Sequence, residues 1–362
     1  MYFGLSEEQT FFQDNVKKFL VDQAPLDVIR QITAEKNTDI QEEIRQGLTN
    51  LGLNALLIPE DYGGLGLDLL FAAAVSEGLG SGVAPIAFTG SYVMAPLAIM
   101  HGGSDVQKEN YLTKISSNTV KFGIGLSEYI GAREDAKLII NGNKVNGKAL
   151  FVIDADDASH FILSDDQGTI FIVDADDSGL EVIELTSIDK TRSYVEILLN
   201  NVTAEILDNT VKNNNAIEKT IDAGRIMLAA DSVGAAQVMI DKSVEYAKER
   251  KQFGRVIGSF QAVKHMCAEM TAELEPCYAI VWHAAHCFDY IPEEARLLAC
   301  QSKSHISEVT KMVAKKATEV HGGMGFTDLL GLHYWFKRIG MNRQLLGSPE
   351  LVRDEAGKIQ GF

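Results

Sequence analysis

The chain has 362 residues, of which 46% are hydrophobic and 23% charged, ordinary globular usage with enough apolar surface for two or three packed layers or domains. Its net charge of −17 argues against nucleic acid, whose binding needs a concentrated basic surface. No apolar run reaches the roughly 18 residues of a membrane span, and the start MYFGLSEEQTFFQDN lacks a basic-then-apolar leader, so a cytoplasmic chain is expected.

Residues 1–119 read as helices joined by short loops. Phe11, Phe12, Val16, Phe19 and Leu20 repeat at helical spacing. Pro59-Glu60-Asp61-Tyr62-Gly63-Gly64-Leu65-Gly66 reads as a loop from its proline and glycines. Residues 120–215 change texture. Short β-branched runs alternate with turns, at 137–140, from 144, and at 151–153, 161–163, 170–173 and 195–199. Asn141-Gly142-Asn143 between two such runs predicts a hairpin. The spacing suits a small β-barrel or sandwich. Residues 216–362 return to long helices, with Val233, Gln237, Ile240, Val244 and Ala247 on one face. The fold class expected is mainly α with a central β-domain.

Two places in the helical end invite chemistry. Lys248-Glu249-Arg250-Lys251-Gln252-Phe253-Gly254 closes one helical pattern, and Gly258-Ser259-Phe260-Gln261 opens the next. An arginine at such a junction can grip a phosphate with a fork of hydrogen bonds. The bland alternative, a solvated basic helix end, is favoured on chemistry alone. Glu319-Val320-His321-Gly322-Gly323-Met324-Gly325-Phe326 follows later. Paired glycines let a backbone approach a ligand, and they equally suit a helix C-cap.

Other patterns are read as structural. Cys267, Cys277, Cys287 and Cys300 form no Cys-x-x-Cys pair and are expected as reduced core residues. His283, His286 and Cys287 fall at i, i+3 and i+4, a spacing that could hold a metal. No fourth ligand is evident, and Trp282, Ala284 and Ala285 suggest packing, so no metal is expected. Asp174-Ala175-Asp176-Asp177-Ser178-Gly179 opens like a calcium loop but has Leu185 at its twelfth position, which leaves a turn.

Taken together, the Arg250 box, the Gly-Gly box, the Pro59–Gly66 loop and Glu77-Gly78-Leu79-Gly80 resemble the acyl-CoA dehydrogenase family over nearly the whole chain. The resemblance implies a helical N-domain, a central β-barrel or sandwich and a C-terminal four-helix bundle. It implies FAD bound at a subunit interface, an acyl-CoA substrate, and an electron-transfer flavoprotein as acceptor. Arg250 would meet the FAD pyrophosphate of a neighbouring chain. Gln252, Phe253, Ile257, Phe260 and Gln261 would line the adenine side, with Glu319, Gly322 and Gly323 approaching the same cofactor. Glu319 stands where the family usually has glutamine, and a carboxylate beside a pyrophosphate is electrostatically awkward.

The chain departs from the family where the chemistry is done. The family abstracts a proton alpha to the thioester with a glutamate, which usually lies in the segment after the Gly-Gly box. Gly347 falls at that position, and Gly224 falls at the alternative one in the first long C-domain helix. Among neighbouring acids, Glu218, Asp222 and Glu350 are candidates for a displaced base. Asp222 and Arg225 match a pair near the family's substrate channel, although a structural ion pair is favoured. Ser127-Glu128-Tyr129-Ile130-Gly131-Ala132 replaces the family's Thr-Glu-Pro stretch, and Phe151-Val152-Ile153 replaces Trp-Ile-Thr. Ile153 cannot donate the hydroxyl hydrogen bond that faces flavin N5. The adenine half-site looks intact and the isoalloxazine half-site eroded. That division resembles the α2β2 acyl-CoA dehydrogenases of bacterial steroid side-chain degradation, in which a second subunit supplies the glutamate. The alternatives are a homomeric dehydrogenase with a displaced base, and a non-enzymatic CoA-ester or flavin-binding protein.

Overall fold

A computed structural model describes residues 4–35, 38–131, 137–210 and 215–362. In chain order, α1 (Glu7–Gln23), α2 (Leu26–Glu35), α3 (Thr38–Asn50), α4 (Leu69–Ser81), α5 (Ala95–Gly102) and α6 (Asp105–Ser116) come first. Seven strands follow: β1 (Phe122–Gly125), β2 (Leu138–Asn141), β3 (Lys144–Ile153), β4 (His160–Ser164), β5 (Ile170–Asp174), β6 (Leu180–Glu184) and β7 (Tyr194–Ile206). Then come α7 (Asn215–Glu249), a short hairpin of β8 (Lys251–Gln252) and β9 (Arg255–Val256), α8 (Gln261–Tyr290), α9 (Pro292–His321), α10 (His333–Gln344) and α11 (Pro349–Ile359). Helical ends around a central β region match the expected fold class. Among the described residues, no helix is long and apolar enough to cross a membrane.

Contacts divide the chain into two compact units, one of Met1–Ile40, Ala73–Ala84 and Ile226–Phe362, the other of Gln41–Ala72 and Pro85–Arg225. In the second unit the strand order is β2-β3-β1-β4-β5-β7-β6, and β3 also pairs with β7. That extra pairing closes β3, β1, β4, β5 and β7 into a barrel, which leaves no open edge among them. β1 and β4 run parallel, while the other pairs are antiparallel. Alternate residues fill the interior, including Val145, Phe161, Leu163, Phe171, Val173, Val195 and Ile197. The β2–β3 hairpin forms as expected but its loop is Gly142-Asn143, because Asn141 pairs with Lys144. Gly142 takes φ +64 at the first central position, as a type II′ turn requires. The calcium-like segment is a turn: Asp174 accepts the Asp176 amide, and Asp177 accepts those of Gly179 and Thr203.

In the first unit α8 and α9 form a long hairpin, with α10 and α11 packed on α9. α1 starts from a Ser6–Gln9 capping box. Its buried stripe is Gln9, Gln13, Val16 and Leu20, so Phe11 faces outward, contrary to the sequence expectation. Gln13 occupies the stripe because its amide donates to the Ala74 carbonyl at 3.0 Å. Arg338 is buried and donates to Asp231 through Nε and Nη2 at 2.7–3.1 Å, and through Nη1 to the Ala84 carbonyl at 2.9 Å. Asn342 donates to the same carboxylate at 2.6 Å. We expect Arg338→Leu to cost about 3–5 kcal/mol in urea unfolding, because it strands a buried carboxylate. Asp231→Leu/Arg338→Leu should recover part of that loss, and a double variant no more stable than the single would refute the argument.

Candidate functional site

α7 ends one residue before Arg250, and the chain does not pass straight into α8. Lys251 pairs with Val256 and Gln252 with Arg255, closing a two-residue hairpin. Its central residues, Phe253 at φ +55 and Gly254 at φ +77, have the positive angles of a type I′ turn. Glycine accepts such an angle, whereas for phenylalanine it is strained. At the tip of this turn the Phe253 ring is 92% exposed and lies edge-to-face with Phe260 at 6.1 Å between centroids. The Arg255 guanidinium lies over Phe260 at 4.0 Å, a cation–π contact. The Ile257 amide donates to the Arg250 carbonyl at 2.7 Å, tying the end of α7 to the entry of α8. Arg250, Gln252 and Gln261 are exposed. Among the described residues Arg250 has no ion-pair partner.

α9 ends at the Gly-Gly box. Gly322 caps it, its amide donating to the Glu319 carbonyl, at φ 57 and ψ −138, an angle pair that favours glycine. A Cβ on Gly322 or Gly323 would meet nothing within 4 Å. The cap and the open backbone therefore coexist. Glu319 is exposed. The buried His321 ring donates from Nδ1 to the Ala317 carbonyl at 2.7 Å and packs on Tyr246 of α7 at 4.6 Å. Burial holds its pKa below the ordinary histidine range. The sequence reading passed over this pair, which fixes the end of α9 against the last turn of α7.

The two positions at which the resemblance leads one to expect a catalytic base both carry glycine, which has no side chain to move a proton. Gly347 is buried in the turn between α10 and α11, at φ +104 beside Leu346 at φ +56. Below this turn the buried Lys303 donates to the Asn342 and Arg343 carbonyls at 2.6 and 2.9 Å, satisfying the open end of α10. Gly224 is buried within α7. The neighbouring acids are occupied. Asp222 and Arg225 are buried and 3.7 Å apart, an internal ion pair. Glu218 accepts from the Tyr129 hydroxyl at 3.1 Å. Glu350 is exposed and bound by Arg343 at 2.8 Å. Its own backbone amide, the Ser348 hydroxyl and Arg343 hold its carboxyl down at about 2, far from the near-neutral value of an effective general base.

Ser127, Glu128 and Tyr129 lie between β1 and β2. The Ser127 hydroxyl donates to the Leu150 carbonyl, so it is committed to the barrel. Glu128 was not a candidate from sequence. Burial, then the Asp166 carboxylate, push it up to about 7, and among the described residues its buried Oε2 has no hydrogen-bond partner. Ala132 lies outside the described residues. In β3, Ile153 is buried and paired with Ile124. The β3–β7 register shifts between Ala149 and Val152, and there Phe151 takes φ +52 and stands 41% exposed.

Two family models match the chain. Residues 6–119 match "Acyl-CoA dehydrogenase, N-terminal domain", and residues 214–359 match "Acyl-CoA dehydrogenase, C-terminal domain". The probable acyl-CoA dehydrogenase YngJ of Bacillus subtilis is 30% identical, with 98% of each chain covered. The caffeyl-CoA reductase-Etf complex subunit CarC of Acetobacterium woodii is 29% identical, with 90% of each covered. Among solved structures, a variant of the Tcur3481-Tcur3483 steroid ACAD aligns with a TM-score of 0.88 at 26% identity, covering 98% of each chain.

Proposed function

Because this chain belongs to the acyl-CoA dehydrogenase family, we propose that it is one subunit of a heteromeric, FAD-dependent acyl-CoA dehydrogenase, lending half a flavin site and no catalytic base. What supports this reading is the glycine at each position where the family's base is expected, together with the exposure of Arg250, Gln252, Phe253 and Gln261 at the junction of α7 and α8.

The residues present fit the adenine–pyrophosphate half of FAD. Arg250, without an ion-pair partner among the described residues, offers a fork for two phosphate oxygens. Phe253 presents a bare aromatic face with Phe260 behind it, and Gln252, Ile257 and Gln261 complete that side. Gly322 and Gly323 admit a ligand against bare backbone. Glu319, exposed at the end of α9, opposes an anion there. The other half fits poorly, since Ile153 has no hydroxyl and that of Ser127 is committed elsewhere. FAD, when bound, accepts the beta hydride of the thioester. The second subunit supplies the carboxylate that takes the alpha proton, in an α2β2 assembly. Asp222 and Arg225 border the acyl channel through their internal pair, and the substrate is a bulky CoA ester such as a steroid side chain. The likeness to a steroid enzyme supports that substrate class. The electron acceptor is an electron-transfer flavoprotein, in line with the Etf complex named for one relative.

One observation favours a second reading, a self-sufficient enzyme with a displaced base. The buried Oε2 of Glu128 has no hydrogen-bond partner among the described residues, and burial holds the carboxyl up at about 7, which suits a general base near neutral pH. Purification from the native host separates the two. The first reading expects two different chains sharing each FAD, with turnover unaffected by Glu128→Gln. A single chain type with its own FAD, whose turnover Glu128→Gln abolishes, would establish the second.

A further inference from the structure

The tip of the α8–α9 hairpin brings together three ligand types that the flavin chemistry does not use. His283 and Cys287 stand one turn apart on α8, at the spacing that puts two side chains on one helical face. The chain reverses at Ile291, and the first turn of α9 returns Glu294 to them. One ligand atom from each of the three lies within 4.8 Å of the others. His283 and Glu294 are exposed and Cys287 is buried, so a thiol floor faces an imidazole and a carboxylate that are free to turn. Among the described residues, none of these three side chains has a hydrogen-bond or ion-pair partner in the protein. His286, one residue before Cys287, is engaged otherwise: its ring stacks on Tyr290 at 4.7 Å.

We propose that His283, Cys287 and Glu294 bind a divalent transition-metal ion of the zinc class, with water in the fourth position. Nitrogen, thiolate and carboxylate donors together select a borderline ion over magnesium or calcium. Bonds of about 2.0–2.3 Å set tetrahedral ligand atoms about 3.5 Å apart, a closure within reach of two exposed side chains. The C-terminal end of α8 favours a cation and the N-terminal end of α9 opposes it, so the two dipoles roughly offset each other, while Glu293 adds a further negative charge beside Glu294. On binding, the thiol S–H bond breaks, its proton leaves to solvent and the sulfur lone pair forms the metal–sulfur bond, with no change of oxidation state. The ion would staple the closed end of a hairpin whose open end carries Gln261 and Gly322.

Cobalt(II) titration of the full-length, chelator-treated protein tests this, because tetrahedral cobalt absorbs in the red, clear of flavin. Wild type should take up a single equivalent with these bands, and zinc should displace it. Cys287→Ser should shift or abolish the bands. His283→Ala and Glu294→Gln should weaken binding at least roughly tenfold, while His286→Ala should bind as wild type. Far-ultraviolet circular dichroism of the metal-free variants identifies any that misfold. Absence of the bands in wild type, or bands that survive Cys287→Ser unchanged, overturns the proposal, as does equal loss in His286→Ala.

Discussion

Gly234→Ala should lower the stability of this chain, although alanine is the better helix former. In an open helix the exchange gains about 1 kcal/mol. Here a Cβ on Gly234 would lie 1.9 Å from the Glu77 carbonyl oxygen, and one on Gly80 would lie 1.9 Å from that of Asp231. α4 and α7 thus cross backbone to backbone, each glycine seated against the other helix. The Ser76 hydroxyl donates to the Met227 carbonyl at 2.8 Å beside this crossing. Neither backbone can yield without moving its whole helix, so overpacking costs about 3 kcal/mol or more. Gly357 in α11 is the control. Its Cβ would meet only Phe362, at 4.0 Å, and Gly357→Ala should stabilise by about 0.5–1 kcal/mol. Urea midpoints of the two variants should move in opposite directions. A neutral Gly234→Ala would mean that the helices can part cheaply.

That crossing shows what was legible in the sequence and what was not. Glu77-Gly78-Leu79-Gly80 stood out as a motif, but nothing in it named Gly234 as its partner, because a close approach is a property of two segments. β1 escaped for a similar reason. Its Gly123 and Gly125 lack the β-branched signature, yet their missing side chains are what the barrel needs. A Cβ on Gly123 would meet the Phe161 ring at 2.7 Å, and one on Gly125 would meet Val152 at 2.7 Å. Phe11 was misplaced because a buried glutamine carries no hydrophobic signal. The α–β–α order was legible because long periodic helices and short β-branched runs differ in composition over tens of residues. Of the site, residue types at Arg250, Gly322 and Gly347 were legible, whereas the β8–β9 hairpin was read through as a helix junction. Its signal was present: Phe253-Gly254 ends in the glycine that a type I′ turn favours. Glu128 was not legible, because burial and the Asp166 carboxylate set its proton affinity.

Arg250→Ala should release FAD from the assembled protein without unfolding it. The side chain is exposed and unpartnered among the described residues, so the fold loses little by its removal. A pyrophosphate would lose its bidentate, charge-assisted contact, an affinity drop on the order of a hundredfold. Arg250→Lys should recover only part of it, because an ammonium keeps the charge but not the fork. The readout is FAD retained through gel filtration and the Kd from flavin fluorescence, alongside an unchanged urea midpoint. In a divided assembly the flavin lost is the one seated chiefly on the other subunit, so a substitution here would empty a site there. A protein that only binds CoA esters would show no such loss. FAD content unchanged in Arg250→Ala would remove the pyrophosphate from this surface, and the strained, exposed Phe253 would then need another ligand to explain it.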